Sequence, residues 1–293
     1  MEFYQTPSKL WCVTQTSLSP SCSKQFEGLL TQGSGYIHAR ASYEEGLAAA
    51  LQNEQYMRMP VTNVTVAKPR NLRSKFGTYM PGITGNHPLL REEIVNLPNP
   101  WKTSFCVGEE PLDMDSSEVS GFERTLDLRD GVLYRSFLWH TKSGLLQCDF
   151  SRFISRAEQG LFVQKMTFCS DCAMELQIDA CVDADVTTNG YCHFTEEKMF
   201  GGEDVFGTRV TIDSGNFVTF TSLLTVAGTQ ISENHASAVL RLVPGEPQTI
   251  YRFTMASSSR DLTPLSHETM AVRLYRYREN PACAYAPHAA KWA

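Results

Sequence analysis

From residue 120 to residue 255, strand signals follow one another every 8–12 residues, and this spacing restricts the possible folds more than any other feature. Leu133, Arg135, Phe137 and Trp139 alternate with Tyr134, Ser136 and Leu138, the period of a strand with one face turned inward. Segments 145–154, 161–168, 174–182, 205–212, 217–226, 238–243 and 249–255 continue the run. Asp213-Ser214-Gly215-Asn216 reads as a hairpin turn and Pro244-Gly245-Glu246-Pro247 as another turn. Many strands between turns, with few helices, predict a mainly β fold: a large antiparallel sandwich or barrel. A chain of 293 residues, 42% of them hydrophobic, is long enough to bury such a core.

Both ends differ from this middle. Residues 10–16 read as a strand, 17–24 as a loop, 26–30 as a short apolar piece and 36–42 as strand-like. Residues 70–100, rich in Pro, Gly and Asn, read as a long loop region of the kind that usually carries a use. Near the other end, Thr263-Pro264 predicts an N-cap and first helical position, with a helix over 265–277 that shares Met270, Leu274 and Tyr277 on one face. Asn280-Pro281 breaks it, and a further helix is expected from Tyr285.

Charge excludes some functions. Lys plus Arg is 26 and Asp plus Glu is 32, a net charge of −6, with no basic run. Nucleic-acid affinity rests on neutralising phosphates, so a nucleic-acid partner is not expected. No apolar stretch approaches the ~20 residues that span a bilayer, and the first residues lack a basic and then apolar leader. The expectation is a soluble cytoplasmic protein with no membrane partner. Nine cysteines are an odd number for a disulfide framework. Cys169-Ser170-Asp171-Cys172, with Cys181, Cys192 and His193, has the ligand types of a zinc site. Its spacing is not that of a finger, so the thiols read as structural, with no metal and no cofactor expected.

Chemistry-bearing residues are scattered. The carboxylate pairs Glu92/Glu93, Glu109/Glu110, Asp113/Asp115, Asp127/Asp130 and Asp183/Asp185 carry no context that marks any as catalytic. No serine sits in a nucleophile elbow. Segment 33–46, GSGYIHARASYEEG, lacks the third glycine of a dinucleotide loop and reads as a tight turn with an Arg–Glu pair. Segment 86–101 combines Asn86, Arg91, Glu92, Asn96, Asn99 and Trp101 with stiffening prolines. Planar polar groups beside an aromatic face suit a sugar, and the same residues suit a docked structural loop.

Four of these segments, in this order, resemble the N-terminal domain of glycoside hydrolase family 65, which contains maltose, trehalose, kojibiose and nigerose phosphorylases and related α-glucoside hydrolases. They are GSGYIHARASYEEG, which keeps Gly33, Gly35, Tyr36, Arg40, Glu44, Glu45 and Gly46; FGTYMPGITGNHPLLREEIVNLPNPW over 76–101; ERTLDLRDGVLYRSF over 123–137, with Arg129; and SRFISRAEQGLFVQKMTF over 151–168. The terminal PHAAKWA resembles the linker before that family's catalytic domain. Ser34, His38, Ala39 and Ala41 depart from the family pattern and mark a divergent member.

The resemblance implies a β-supersandwich over 1–258 and a helical linker over 259–293 leading toward a catalytic (α/α)6 barrel that these residues do not contain. No catalytic residue is then carried over. The implied function is the non-catalytic N-terminal domain or subunit of an inverting α-glucoside (disaccharide) phosphorylase or hydrolase, with phosphate as the possible co-substrate of the complete enzyme. Expected partners are an α-linked disaccharide or oligosaccharide, the catalytic barrel as domain or subunit, and further subunits of a homo- or hetero-oligomer. The domain would shape the substrate pocket and the dimer interface, with the 86–101 loop nearest the pocket mouth. The rival is a stand-alone carbohydrate-binding or aldose-mutarotase-like sandwich, which needs a His and a carboxylate converging over a concave sheet; His140 and His193 are the residues for that role. An exposed apolar patch near Tyr277, Tyr285 and Trp292 would favour a missing partner.

Overall fold

The computed structural model describes residues 9–18, 22–46, 56–58, 65–67, 76–87, 91–188 and 191–292. Two antiparallel sheets dominate. The larger has nine strands in the order Cys12–Gln15, Val119–Asp127, Val132–Thr141, Gly144–Ile154, Leu161–Ser170, Gln248–Ser258, Phe217–Leu224, Val205–Ile212 and Phe194–Gly201. The smaller has five: Glu110–Pro111, Thr103–Val107, Met174–Cys181, His235–Leu242 and Gln230–Ser232. This is the mainly β architecture expected from the strand spacing. No helix of the described residues is long and apolar enough to cross a membrane.

The alternation places the core. In Met174–Cys181, Met174, Leu176, Ile178 and Ala180 are buried while Glu175, Gln177 and Asp179 face solvent. They meet Phe137, Trp139, Leu146, Phe150, Met166 and Phe168 of the larger sheet. The central strand Leu161–Ser170 is buried on both faces. Its other side, with Phe153, Val163, Phe253 and Met255, lies under Met270, Leu274 and Tyr277 of the helix His267–Glu279. Each fully buried side chain of this size stabilises the fold by roughly 1.5–3 kcal/mol.

Several local readings shift. The helix begins at His267 because Ser266, rather than Thr263, offers its side chain to the Thr269 N–H at 3.3 Å. It ends at Asn280 before Pro281, and Tyr285–Ala289 supplies the second helix. Residues 19–21 of the expected first loop lie outside the described residues, and Ser23–Leu29 is helical through the expected apolar piece. Only His38–Ala39 of the strand-like 36–42 segment pairs. Within 70–100, residues 70–75 and 88–90 lie outside the described residues, and Thr84–His87 pairs with Arg91–Ile94 as a hairpin. Phe194–Gly201 was not expected. It is an exposed edge strand carrying Glu196, Glu197 and Lys198, charges that discourage pairing with another chain but erase the alternation. The 213–216 turn does join neighbouring strands, with Gly215 at φ +85°. The 244–247 turn instead carries the chain from the small sheet to the large one.

Candidate functional site

The first signature segment is anchored by buried charge. Arg135 and Arg152 stand on neighbouring strands and face inward, where an apolar residue would continue the pattern. Arg135 donates to both Glu45 oxygens at 2.7 Å and lies 2.8 Å from Glu44; Arg152 donates to Glu44 at 2.7 Å. Burial works against charge on Glu44, but Arg135 and Arg152 outweigh it and hold the carboxyl below its ordinary range. Arg124, directly opposite Arg135 in the ladder, donates to the Ala41 carbonyl and the Gln15 amide oxygen and lies 4.7 Å over the Tyr43 ring. Burial pulls Arg124 down to about 10. Glu44 and Glu45 are thus cross-links between a loop and a sheet. Arg40 pairs elsewhere, with the buried Glu27 at 3.8 Å. Arg129 sits half exposed at a strand turn beside Asp127.

The 86–101 residues divide into two groups. Asn96, Asn99 and Trp101 are buried. Asn96 Oδ1 accepts from the Thr78 N–H at 2.9 Å, and its Nδ2 donates to the Phe76 and Thr187 carbonyls. Asn99 Oδ1 accepts from the Trp101 N–H, and Asn99 forms a backbone bridge with Asp183. Trp101 meets Phe162 edge-on at 4.9 Å, with Arg152 over its ring. These three are fastened to the sandwich. Asn86, Arg91 and Glu92 are exposed, on the hairpin formed by Thr84–His87 and Arg91–Ile94. Asn86 stands opposite Glu92 and His87 opposite Arg91.

The base of this hairpin rests on a polar cluster. His193, whose side chain is wholly covered, lies with Nδ1 2.8 Å from Asp213 Oδ2 and Nε2 2.9 Å from Glu93 Oε1. Asp213 Oδ1 accepts the Asn86 N–H at 2.8 Å, and Ser214 donates to the Thr84 carbonyl at 2.6 Å. Tyr191 packs edge-on against both His193 and His87. The arrangement is a stiff mount with a polar tip, able to present an amide, a guanidinium and a carboxylate to a hydroxyl-rich or anionic ligand. Sequence reading singled out the tip but not Asp213, Tyr191 or Glu93 as its support. His193, the Glu92/Glu93 pair and the 213–216 turn each stood out in the sequence, but nothing there joined them into one cluster. His140, the other histidine of the rival reading, lies 2.7 Å from Ser120 Oγ.

A second concave region lies between the end of the strand Gln248–Ser258 and the helix His267–Glu279. A pocket of about 650 Å³ is bordered by Tyr36, Gln159, Arg260, Asp261, Leu262 and Arg273. The Tyr36 hydroxyl donates to Asp261 at 2.9 Å, and Ser257 donates to the same carboxylate at 2.7 Å. Gly35, at φ +88°, delivers Tyr36 to this contact; Gly33 lies in the short strand Gln32–Gly33. Tyr277 stacks on Phe253 at 5.0 Å, Tyr285 donates to Asp130, and Trp292 lies against Gly131, so these aromatic residues turn onto the sheet rather than outward. Cys172 donates to the Ser143 carbonyl. Among the described residues no cluster of three or more His, Cys, Asp or Glu side chains is arranged to hold a metal ion.

Comparison with known proteins gives a consistent picture. The model of the glycosyl hydrolase family 65 N-terminal domain matches residues 13–293. A kojibiose phosphorylase of Thermoanaerobacter brockii is 25% identical over 178 residues, 59% of this chain and 20% of that protein. The kojibiose phosphorylase of Escherichia coli K12 is 24% identical over 223 residues, 74% and 26% of the two chains. A 1,2-alpha-glucosylglycerol phosphorylase of Bacillus selenitireducens is 27% identical over 204 residues, 65% and 26%. The chain therefore spans between 20% and 26% of the length of these relatives. A solved structure provisionally described as a kojibiose phosphorylase from human microbiome superposes with a TM-score of 0.78 at 17% identity, covering 99% of this chain and 39% of that one, a likeness of fold.

Proposed function

We propose, from the premise that this chain belongs to glycosyl hydrolase family 65 as its N-terminal domain, that it is the non-catalytic domain or subunit of an inverting α-glucoside phosphorylase or hydrolase. In this reading residues 259–293 lead to a catalytic barrel, and the hairpin around Asn86 and Glu92 forms part of the mouth of its substrate pocket. The substrate class is an α-linked disaccharide or oligosaccharide, supported by the names of the relatives. Phosphate or water attacks the anomeric carbon opposite the leaving oxygen, and groups of the barrel carry that step. A homo- or hetero-oligomer, with this domain at a subunit interface, belongs to the same proposal, and the native mass of the assembly tests it.

The observation that carries the site is the division within the hairpin. Asn86, Arg91 and Glu92 are exposed, while His193, Asp213 and Ser214 hold its base. Exposed polar groups on a rigid mount are what substrate positioning requires, because a 1 Å misplacement can cost about 10²-fold in rate. The rival mutarotase-like reading needs an accessible histidine beside a carboxylate. Of the two histidines expected for that role, His193 meets carboxylates, but both of its nitrogens are engaged and covered, and His140 meets the Ser120 hydroxyl. His235, half exposed, lies 3.4 Å from Asp179 on the smaller sheet.

The test uses the complete assembly purified with its catalytic part. Residues 84–94 are replaced by a short turn, and disaccharide phosphorolysis and hydrolysis are assayed beside a thermal melt. A kcat/KM at least tenfold lower, with the melt retained, is expected; unchanged turnover overturns the role of the hairpin.

A further inference from the structure

We infer that His193 is a positioning residue for the hairpin, holding it in the form described here only while the ring is an imidazolium. Ionised carboxylates only accept hydrogen bonds, and a neutral imidazole has one N–H to give. Yet both ring nitrogens stand at bonding distance from a carboxylate oxygen: Nδ1 at 2.8 Å from Asp213 and Nε2 at 2.9 Å from Glu93. Only the doubly protonated ring satisfies both contacts. Removing one proton sets a nitrogen lone pair against a carboxylate oxygen at the same distance, in a site where water does not screen the repulsion.

The surroundings make the contact specific. A Cβ at Gly85 would lie 2.5 Å from His193 Nδ1 and 2.9 Å from Asp213 Oδ1, so the ring fits because residue 85 has no side chain. The grip reaches both strands of the hairpin. Asp213 takes the N–H of Asn86 on the first, and His193 takes Glu93 on the second. The titratable groups facing the ring are Glu93 and His87 from the hairpin, Asp213 from the turn and Tyr191 from its own segment. His87 Nε2 lies 4.0 Å from the same Glu93 oxygen, so a charge on His87 also bears on that carboxylate. Alkaline solution therefore frees the second strand from the mount, and acidic solution seats it.

The functional meaning of this clamp rests on the reading that the hairpin borders a substrate pocket. The clamp itself does not, and the experiment reads it without substrate or catalytic part. Amide hydrogen-exchange protection factors are measured by NMR on the 293-residue chain between about pH 5.5 and about 8.5, the span in which imidazole changes charge. Protection at Asn86 and at 91–94 is expected to fall at least tenfold on the alkaline side, while the central strand Leu161–Ser170 stays level. Glu93→Gln flattens this dependence, because an amide pairs with either form of the ring. A level wild-type profile, or an unchanged dependence in Glu93→Gln, overturns the inference. Should that variant not fold, ring nitrogen shifts of wild-type His193 decide the matter. Both nitrogens protonated at about pH 6 supports the clamp, and a single neutral tautomer at that pH overturns it.

Discussion

His288 Nε2 lies 2.6 Å from the backbone carbonyl oxygen of Asp130, joining the last helical turn of the chain to a strand turn 158 residues earlier. Nδ1 of the same ring accepts the Arg156 N–H at 3.2 Å, and the ring stacks on Phe153 at 4.2 Å. The ring must be neutral, with its proton on Nε2, to make both bonds. Burial pushes the imidazole down to about 4.

Stability should therefore fall in mild acid. The folded state resists protonation of His288 down to about 4, whereas the unfolded chain takes up the proton near 6.5. Between those values the unfolded state binds more protons, so the contribution is complete above about pH 6.5 and lost as pH drops toward 4. The loss amounts to about 3 kcal/mol. Urea unfolding at a series of pH values measures it. His288→Phe should flatten the slope over this window, and an unaltered slope would show that other groups produce it.

Gly131→Ala should release the Trp292 indole from the sheet. Gly131 has φ +67°, and a Cβ there would lie 2.6 Å from the Trp292 ring. The left-handed backbone costs an alanine about 1 kcal/mol or more, and the clash pushes the indole away. A red-shifted Trp292 emission and a melting point lowered by a few degrees are expected. In a Trp292→Ala background the same substitution should cost only the backbone part.

Arg135→Met should be among the most damaging single changes. It leaves Glu45 without its bidentate partner and Glu44 with Arg152 alone. Breaking a buried ion pair from one side costs about 3–5 kcal/mol. The double change Arg135→Met with Glu45→Gln should recover a measurable part of that loss by denaturant titration. Strict additivity would contradict a direct coupling of the two side chains.

The 86–101 residues should separate by assay. Asn96→Ala removes three side-chain hydrogen bonds in a buried site and should cost about 2–4 kcal/mol of stability. Asn86→Ala, Arg91→Ala and Glu92→Ala should leave stability within about 0.5 kcal/mol. Their effect should fall on the kcat/KM of the complete assembly. A large stability loss in the exposed set would mean that these side chains are structural too.

Where a strand keeps one face inward, the sequence shows it directly. Leu133 through Trp139 alternates because one face of that strand packs into the core, with Phe137 and Trp139 against the smaller sheet, and the other face does not. The turn at 213–216 announces its own hairpin. The family is legible for a related reason: Gly35, Tyr36, Glu44 and Glu45 occupy places where backbone angle and buried charge tolerate few substitutes. The edge strand Phe194–Gly201 was not legible, since a strand exposed on both faces needs no alternation.

Periodicity, turn chemistry and backbone restriction act within a few residues, so the β architecture, the helices near residues 267–289 and the ordered motifs are legible in the chain alone. Tertiary structure alone decided which polar residues are partners. Nothing near Glu44 and Glu45 in the chain names Arg135 and Arg152, and nothing near His193 names Glu93 and Asp213. Pairing across such separations depends on strand order and register, which set the side chains a few ångströms apart only once the sheets have closed. That closure also divided the 86–101 residues, seating Asn96, Asn99 and Trp101 in the sandwich and leaving Asn86, Arg91 and Glu92 in solvent.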